Sequence, residues 1–345
     1  MVRAVNLKEL SNLLGLSQTT ISRALNGYPE VNATTRARIL KAAEETGYRP
    51  NRAARRLATG KAGSLGLVMP VTAEQPMDAH FAEFQSGLAD ECLRHDFHFT
   101  IMPAKPQEEE QAIRDLVSSG AVDAYYLAYM REKDPRIAMA QSLPIPFIVH
   151  GRSLGLAEDY PYLDVDNEEA FAEATRYLLS LGHKRFALLN GPFDLDFARR
   201  RRAGVEKSLA AVGMSLPPEH VSSTLMTDAN GFQHMMRFLE QGSRPTAVLC
   251  ASTVLALGAV RAIRQAGLEV GKDISVIAHD DDLLLLKPEH FSTPLTTTRS
   301  SIREAGRRIA ERLIAAVKGD DTDAPQAELW RAEFILRAST GPAPS

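Results

Sequence analysis

The chain has 345 residues, 44% hydrophobic and 24% charged, a balance that excludes extensive disorder and fibrous repeats and leaves length for two or three domains. Its formal net charge of −3 hides a split: residues 1–60 carry ten Lys or Arg against four Asp or Glu, and the remainder carries 30 against 39. Two cysteines, Cys92 and Cys250, are too few for a disulfide framework or a cysteine-rich zinc site. No apolar run reaches the roughly eighteen residues of a membrane span, and the start MVRAVNLKEL lacks the apolar core of a secretory signal. A cytoplasmic protein without membrane contact is expected.

The basic segment comes first, and its pattern points to nucleic acid. Leu7, Leu10 and Leu14 recur at helical spacing, Gly15 permits a tight bend, and Ser17 stands where an N-cap starts a second helix. That helix, over 18–26, is expected to turn Ile21 and Leu25 inward. An ordinary surface helix would carry several Lys and Glu on its other face. This one carries Gln, Thr, Ser, Asn and a single Arg, short groups that hydrogen-bond to base edges and phosphates in a major groove. A third helix starts from Asn32, closes a small core with Ile39, Leu40 and Ala43, and ends at Gly47 before Pro50. The DNA-facing candidates are Ser17, Gln18, Thr19, Thr20, Ser22, Arg23, Asn26 and Tyr48.

Residues 51–60 favour helix between a proline and a glycine. About ten residues cannot hold a helix alone in water. This one should form only against a twin from a second subunit or against DNA.

The segments GLSQTTISRALNG (15–27) and GYRPNRAARRLATGK (47–61), with their spacing, resemble the LacI/GalR family of bacterial repressors. The resemblance implies a hinge helix at about 51–59, paired across a homodimer, with a leucine that wedges into the minor groove at the operator centre. Leu57 matches that leucine, and Asn51 and Ala54 match neighbouring contact positions. Arg55 and Arg56 can add phosphate contacts. Such a wedge unstacks a base step and bends the duplex, and the wider contact that follows offsets the cost.

Beyond residue 60, apolar runs at 64–69, 97–102, 122–128, 147–150, 185–190, 247–251 and 274–279 alternate with amphipathic stretches. Such alternation implies parallel βαβ units, in two lobes rather than one sheet. The resemblance implies an α/β body of periplasmic-binding-protein type, with lobe crossovers near 161, 291 and 323. Ligands of such folds lie in the crevice at the carboxyl ends of the strands. The expected organisation is therefore a helix-turn-helix DNA-binding domain with its hinge over 1–60 and an effector-binding, dimerising domain over 61–345.

Within the body, IPFIVHGR (145–152), VDN (165–167), LGHKRFALLNGP (181–192), RRAG (201–204), SVIAHDD (275–281) and PLTTTR (294–299) also match the family. Arg201, three residues before Gly204, matches its effector-binding arginine, and Asp280 matches its effector-binding aspartate. An arginine fork donates to sugar oxygens and an ionised carboxylate accepts from hydroxyls. Ser252-Thr253 replace the Asn-Asp pair of many members, and Gly151 replaces an aspartate before Arg152. The pocket is thus expected to be roomier than that of a monosaccharide binder, or else to draw contacts from elsewhere, such as His80, Phe81, His150 or Met226; Ser252 is a further effector-binding candidate. SQTTISRALNGYPEVN together with VIAHDD resembles alpha-glucoside-responsive members.

No local catalytic signature is present: no nucleophile elbow, no phosphate-cradling glycine loop, no HExxH, and no metal-loop spacing around Asp280-Asp281-Asp282. No catalytic residue, cofactor or metal is expected. The reading is a DNA-binding transcriptional regulator, a repressor of carbohydrate-utilisation genes, released from a palindromic operator by a small sugar. The alternative is a sugar-binding protein, including a transport binding protein, or a carbohydrate-processing enzyme with no operator function. The few residues after Thr340 are too short for a heptad tetramerisation tail, which favours a dimer.

Overall fold

The computed structural model describes residues 5–25, 28–48, 60–71, 79–320 and 326–344, and its contacts divide the chain into two units, Met1–Ala62 and Gly63–Ser345.

The first unit contains helices α1 (Leu7–Leu14), α2 (Gln18–Leu25) and α3 (Ala33–Thr46). Local chemistry sets their ends. The Asn6 side chain accepts from Glu9 N at 3.0 Å and the Glu9 carboxylate accepts from Asn6 N at 2.8 Å, a reciprocal cap on α1. Gly15 at φ 65° then ends the helix in a left-handed turn that only glycine adopts without cost. Ser17 Oγ accepts from Thr20 N at 3.0 Å to start α2, and Asn32 Oδ1 accepts from Thr35 N at 2.8 Å to start α3.

Leu10, Leu14, Ile21, Ala24, Val31, Ile39, Ala42 and Ala43 form the core of this unit. Two inward assignments shift by one or two residues. Ala24 is buried and Leu25 only packs at the margin; Ala42 is buried and Leu40 is 50% exposed. The buried stripe of α3 runs through 39, 42 and 43, and a residue one step after Ile39 is rotated about 100° off that stripe.

The second unit is built on two sheets, each of six strands among the described residues. The first contains β1 (Ser64–Pro70), β2 (His98–Ala104), β3 (Ala124–Leu127), β4 (Phe147–His150), β5 (Tyr162–Val165) and β11 (Ala327–Trp330). The second contains β6 (Phe186–Asn190), β7 (Val221–Ser223), β8 (Ala247–Cys250), β9 (Ser275–Asp280), β10 (Thr296–Arg299) and β12 (Glu333–Ile335). Their orders, β2-β1-β3-β4-β5-β11 and β7-β6-β8-β9-β10-β12, repeat one doubly wound pattern. Among the described strands every pairing is parallel except β10 with β12. Central strands covered on both faces need apolar side chains on both. In β6, accordingly, Phe186, Ala187, Leu188 and Leu189 are buried in succession, with no alternation of apolar and polar residues.

The helices α4 (Ala79–Arg94), α5 (Glu109–Ser118), α6 (Pro135–Ser142) and α11 (Ile302–Lys318) belong with the first sheet. Helices α7 (Asn167–Ser180), α8 (Asp196–Ala210), α9 (Asp228–Glu240) and α10 (Thr253–Gln265) belong with the second. Among the described residues no helix is long and apolar enough to cross a membrane.

The crossovers fall later than expected. Position 161 precedes β5, which still pairs with β4 and β11, so the chain leaves the first lobe at 166. Position 291 precedes β10, which pairs with β9, and the return is at 300–301. Position 323 lies outside the described residues, but β11 follows it in the first sheet, so the last crossing is at 331–332. Each strand must complete its ladder before the chain can depart. β5, β10 and β11 are four-residue strands without a strong apolar run, so periodicity did not reveal them.

Close helix packing relies on missing side chains. A Cβ on Gly204 would lie 2.1 Å from the Glu168 carbonyl oxygen of α7, and one on Gly306 would lie 2.1 Å from the Phe84 carbonyl oxygen of α4. Gly204→Ala is therefore expected to destabilise the protein by about 1–3 kcal/mol through overpacking against backbone that cannot rotate away. Equilibrium urea unfolding of the variant measures it; an unchanged midpoint would mean that α7 and α8 separate freely.

His183 anchors the carboxyl end. Its ring nitrogens meet Thr246 Oγ1 at 3.0 Å, Ser275 Oγ at 3.0 Å and the Gly341 carbonyl at 3.1 Å, which ties β8, β9 and the last residues together.

Candidate DNA-contact and effector sites

In α2, the cap engages Ser17 and Thr20: their hydroxyls are 2.8 Å apart, and Ser17 Oγ also accepts the Thr20 amide. Gln18, Thr19 and Arg23 are DNA-facing candidates on this helix together with the half-buried Thr20 and Ser22. Residues 18 and 22, and 19 and 23, stand one helical turn apart, so they form two adjacent rows, the second of them opposite buried Ile21 and Ala24. Tyr48 packs its ring against the small core, and burial raises its hydroxyl pKa. Asn26, Asn51, Ala54, Arg55 and Leu57, together with the hinge at 51–59, lie outside the described residues.

The two lobes of the second unit enclose a cavity of about 170 Å³ at the carboxyl ends of their strands. The site is assembled from both. His80, Phe81 and Phe84 come from α4, His150 ends β4, Asp164 belongs to β5, and Asn167 opens α7. Phe197 and Arg201 stand one turn apart on α8, and His279 and Asp281 stand at the end of β9. Met226 also lines it.

Arg201 is 6% exposed. Its Nε donates to Asn167 Oδ1 at 2.8 Å and its Nη1 donates to the Ala251 carbonyl. The guanidinium lies 4.9 Å from the Phe197 ring centre and 5.3 Å from that of Phe171, cation–π contacts that hold the fork in place. Burial lowers its pKa to about 10, although Asp281 and Asp164 act in the opposite direction. It remains charged at neutral pH. Gly204 explains the spacing to Arg201: close approach of α8 to α7 at Gly204 brings residue 201, one turn earlier, onto Asn167.

Asp281 is the carboxylate that joins the lobes at the cavity. One oxygen lies 3.2 Å from His80 Nε2 and the other 3.5 Å from His279 Nε2. Burial would raise its pKa, but His279, His80 and Arg201 outweigh burial and hold it well below the usual carboxylate range. His279 itself is fixed by Thr298 Oγ1 at 2.9 Å and Ser300 Oγ at 3.2 Å. Burial and then Arg201 push the His279 pKa down to about 3. Burial pushes His150 down to about 4. Both rings are neutral at pH 7.

Of the sequence-derived effector residues, the structure brings Arg201, His80, Phe81, His150 and Met226 together around the cavity. Two do not line it. Asp280 is the last residue of β9, and its carboxylate turns back to accept from Asp282 N at 2.9 Å and lies 3.8 Å from Arg299 Nε. Neighbouring strand residues face opposite sides, so it is Asp281 that enters the cavity. Ser252 is fully buried as the N-cap of α10, accepting from Leu255 N at 3.2 Å. Asp281, Asp164, Asn167, Arg152, Phe84 and Phe197 were not singled out, although HGR, VDN and HDD contain three of them. Those strand-end segments were the available signal.

A latch joins the lobes beside the cavity. Asp196 N donates to the Met130 carbonyl at 2.8 Å, and Asp196 Oδ1 accepts from Leu154 N at 3.0 Å. Arg199 of the second lobe pairs with Glu132 of the first at 2.8 Å.

The family model for bacterial regulatory proteins of the lacI family matches residues 6–51, and that for a periplasmic binding protein-like domain matches residues 175–340. The chain is similar to the HTH-type transcriptional regulator AglR of Rhizobium meliloti (strain 1021), with 62% identity over 340 residues, 99% of this chain and 95% of that protein. Among solved structures it is similar to the lac repressor dimer bound to operator and the anti-inducer ONPF, with a TM-score of 0.81 and 25% identity over 98% of this chain and 100% of that one. It is also similar to a complex of the transcriptional regulator CelR with cellobiose, with a TM-score of 0.69 and 27% identity over 96% of this chain and 99% of that one. With the helix-turn-helix unit, the paired parallel sheets and this full-length similarity together, the chain belongs to the lacI family of bacterial regulatory proteins.

Proposed function

We propose that this chain is a sequence-specific transcriptional repressor of carbohydrate-utilisation genes that binds a palindromic operator as a homodimer and releases it when a small sugar occupies the cavity. The observation that carries the sugar reading is the convergence of Arg201 and Asp281, a fixed donor and a fixed acceptor, between aromatic walls. Its relatives are transcriptional regulators rather than enzymes. In this reading Gln18, Thr19, Ser22 and Arg23 face the major groove with Asn26, while Ser17, Thr20 and Tyr48 position the unit on phosphates. Asn51, Ala54 and Leu57 meet the minor groove through the hinge, and Arg55 adds a phosphate contact.

Asp196 offers a route for coupling, since it lines the cavity and also holds the lobe latch. A ligand that favours one lobe arrangement can weaken operator binding only as far as it prefers that arrangement, and the operator weakens the ligand by the same factor.

A thermal-shift screen over mono- and disaccharides, alpha-glucosides first, followed by operator binding with each hit, tests the whole reading. Sugars that stabilise the protein without changing operator affinity would sink the repressor mechanism. Base reading has its own test. Replacing Gln18 with alanine should change which bases are preferred, by about 1–3 kcal/mol per contact. Selection from a randomised operator pool measures it, and a uniform loss with unchanged preference would reassign Gln18 to positioning.

A further inference from the structure

Among the described residues, carboxylates outnumber guanidinium groups in the lining of the cavity. Arg152 Nε donates to Asp164 Oδ2 at 2.9 Å and its Nη1 donates to Glu158 at 3.3 Å. Arg200, behind the wall, donates to Asp196 at 2.6 Å. Arg201 hydrogen-bonds to Asn167 and the Ala251 carbonyl rather than to a carboxylate, with Asp281 and Asp164 as the opposite charges acting on it, and Asp281 lies between two imidazoles. Among the described residues two guanidinium groups line the cavity, Arg152 and Arg201, against three carboxylates, Asp164, Asp196 and Asp281. No lysine is among those lining residues.

Helix N-termini are the other usual home for an anion. Four of the described helices start at this cavity: α4, whose second and third residues His80 and Phe81 line it, and those at Asn167, Asp196 and Ile302; the last three already carry oxygen. Asp166 accepts from Glu169 N at 3.1 Å and Ser301 from Glu304 N at 3.3 Å, while Asp196 places its own carboxylate in the first turn of α8. Among the described lining residues a phosphate would find Arg201 as the one guanidinium not already bonded to a carboxylate, beside three carboxylates. To gain a second cation it would have to displace Asp164 from Arg152, and with Arg201 alone it would share one charge with Asp164 and Asp281; either arrangement leaves a desolvated negative charge underpaired.

A hydroxyl meets no such conflict. It donates to Asp281 or Asp164 and accepts from Arg201, while the carbon faces of a sugar ring rest on Phe197 or on Phe84, which stacks on His150 at 4.6 Å. We propose that this cavity selects uncharged sugars and rejects the same sugars once they carry a phosphate, so that the regulator reports the free sugar and not its phosphorylated product. The inference rests on the sugar reading above and narrows it to one chemical class by charge.

Isothermal titration of the full-length protein with matched pairs tests it: glucose and glucose 6-phosphate, trehalose and trehalose 6-phosphate, maltose and its 6′-phosphate, with inorganic phosphate alone. Each parent sugar that binds is expected to do so at least ~100-fold more tightly than its ester, with no heat from inorganic phosphate. Asp164→Asn removes the carboxylate that neutralises Arg152 and should narrow the ratio by ~10-fold or more. An ester as tight as its parent overturns selection by charge and leaves the sugar reading standing, and an unchanged ratio in Asp164→Asn likewise overturns the charge assignment. Silence from every sugar and every ester overturns the sugar reading and this inference with it.

Discussion

Arg201→Ala is expected to abolish the response to effector while operator binding stays intact. A hydrogen bond from a charged donor contributes about 1.5–3 kcal/mol, and truncation also strips the partner from Asn167 Oδ1 and the Ala251 carbonyl, which loosens the wall that positions a ligand. Effector affinity should fall by ~100-fold or more, since about 1.4 kcal/mol corresponds to tenfold. Arg201→Lys separates charge from geometry. It keeps the cation but loses the planar fork that reaches Asn167, Ala251 and the ligand together, so it should recover little of the response. Titration calorimetry with a sugar hit and fluorescence anisotropy with operator DNA read the two functions separately. Loss of operator binding together with a lowered melting temperature would make Arg201 a structural residue instead.

Operator affinity is expected to fall by ~10³–10⁵ between about 50 and 200 mM salt, the dependence of a protein that neutralises several phosphates. The physical source is confined to the basic segment. Residues 1–60 hold ten Lys or Arg against four acidic residues, whereas the remainder carries an acidic excess, which repels DNA at low salt and makes specific docking depend on the helix-turn-helix and hinge. A homodimer presents that basic segment twice, once per half-site, as the symmetry of a palindrome requires. Anisotropy titrations across a salt series, with sedimentation of the complex, measure slope and stoichiometry. A salt-independent affinity, or tight binding of one half-site by a monomer, would rule this out.

The helix-turn-helix was readable because its determinants are local: Asn6 with Glu9, Gly15, Ser17 and Asn32 act within a few residues, and apolar spacing marks each helix. Where two hydrophobic residues compete for one stripe, spacing left an error of a step, as with Ala24 and Leu25, and packing settled which went inward. The long central strands were likewise visible as apolar runs. Short strands with polar residues, such as β5 and β10, were not, because their places depend on ladders to strands distant in the chain.

Order along the chain was enough for the family-level plan: a basic helix-turn-helix unit followed by an α/β body, and an arginine one turn before a glycine that lets two helices touch. Which aspartate faces the cavity, where the lobes exchange chain and how the cavity is charged emerged with the folded molecule. Asp280 and Asp281 are chemically the same residue, and the choice between them depends on where β9 stops pairing with β10. Charge balance is still less local, since it depends on Arg152 meeting Asp164 and on His80 of one lobe meeting Asp281 of the other. Coulombic and hydrogen-bond energies depend on distance through space, and separation along the chain carries no record of it.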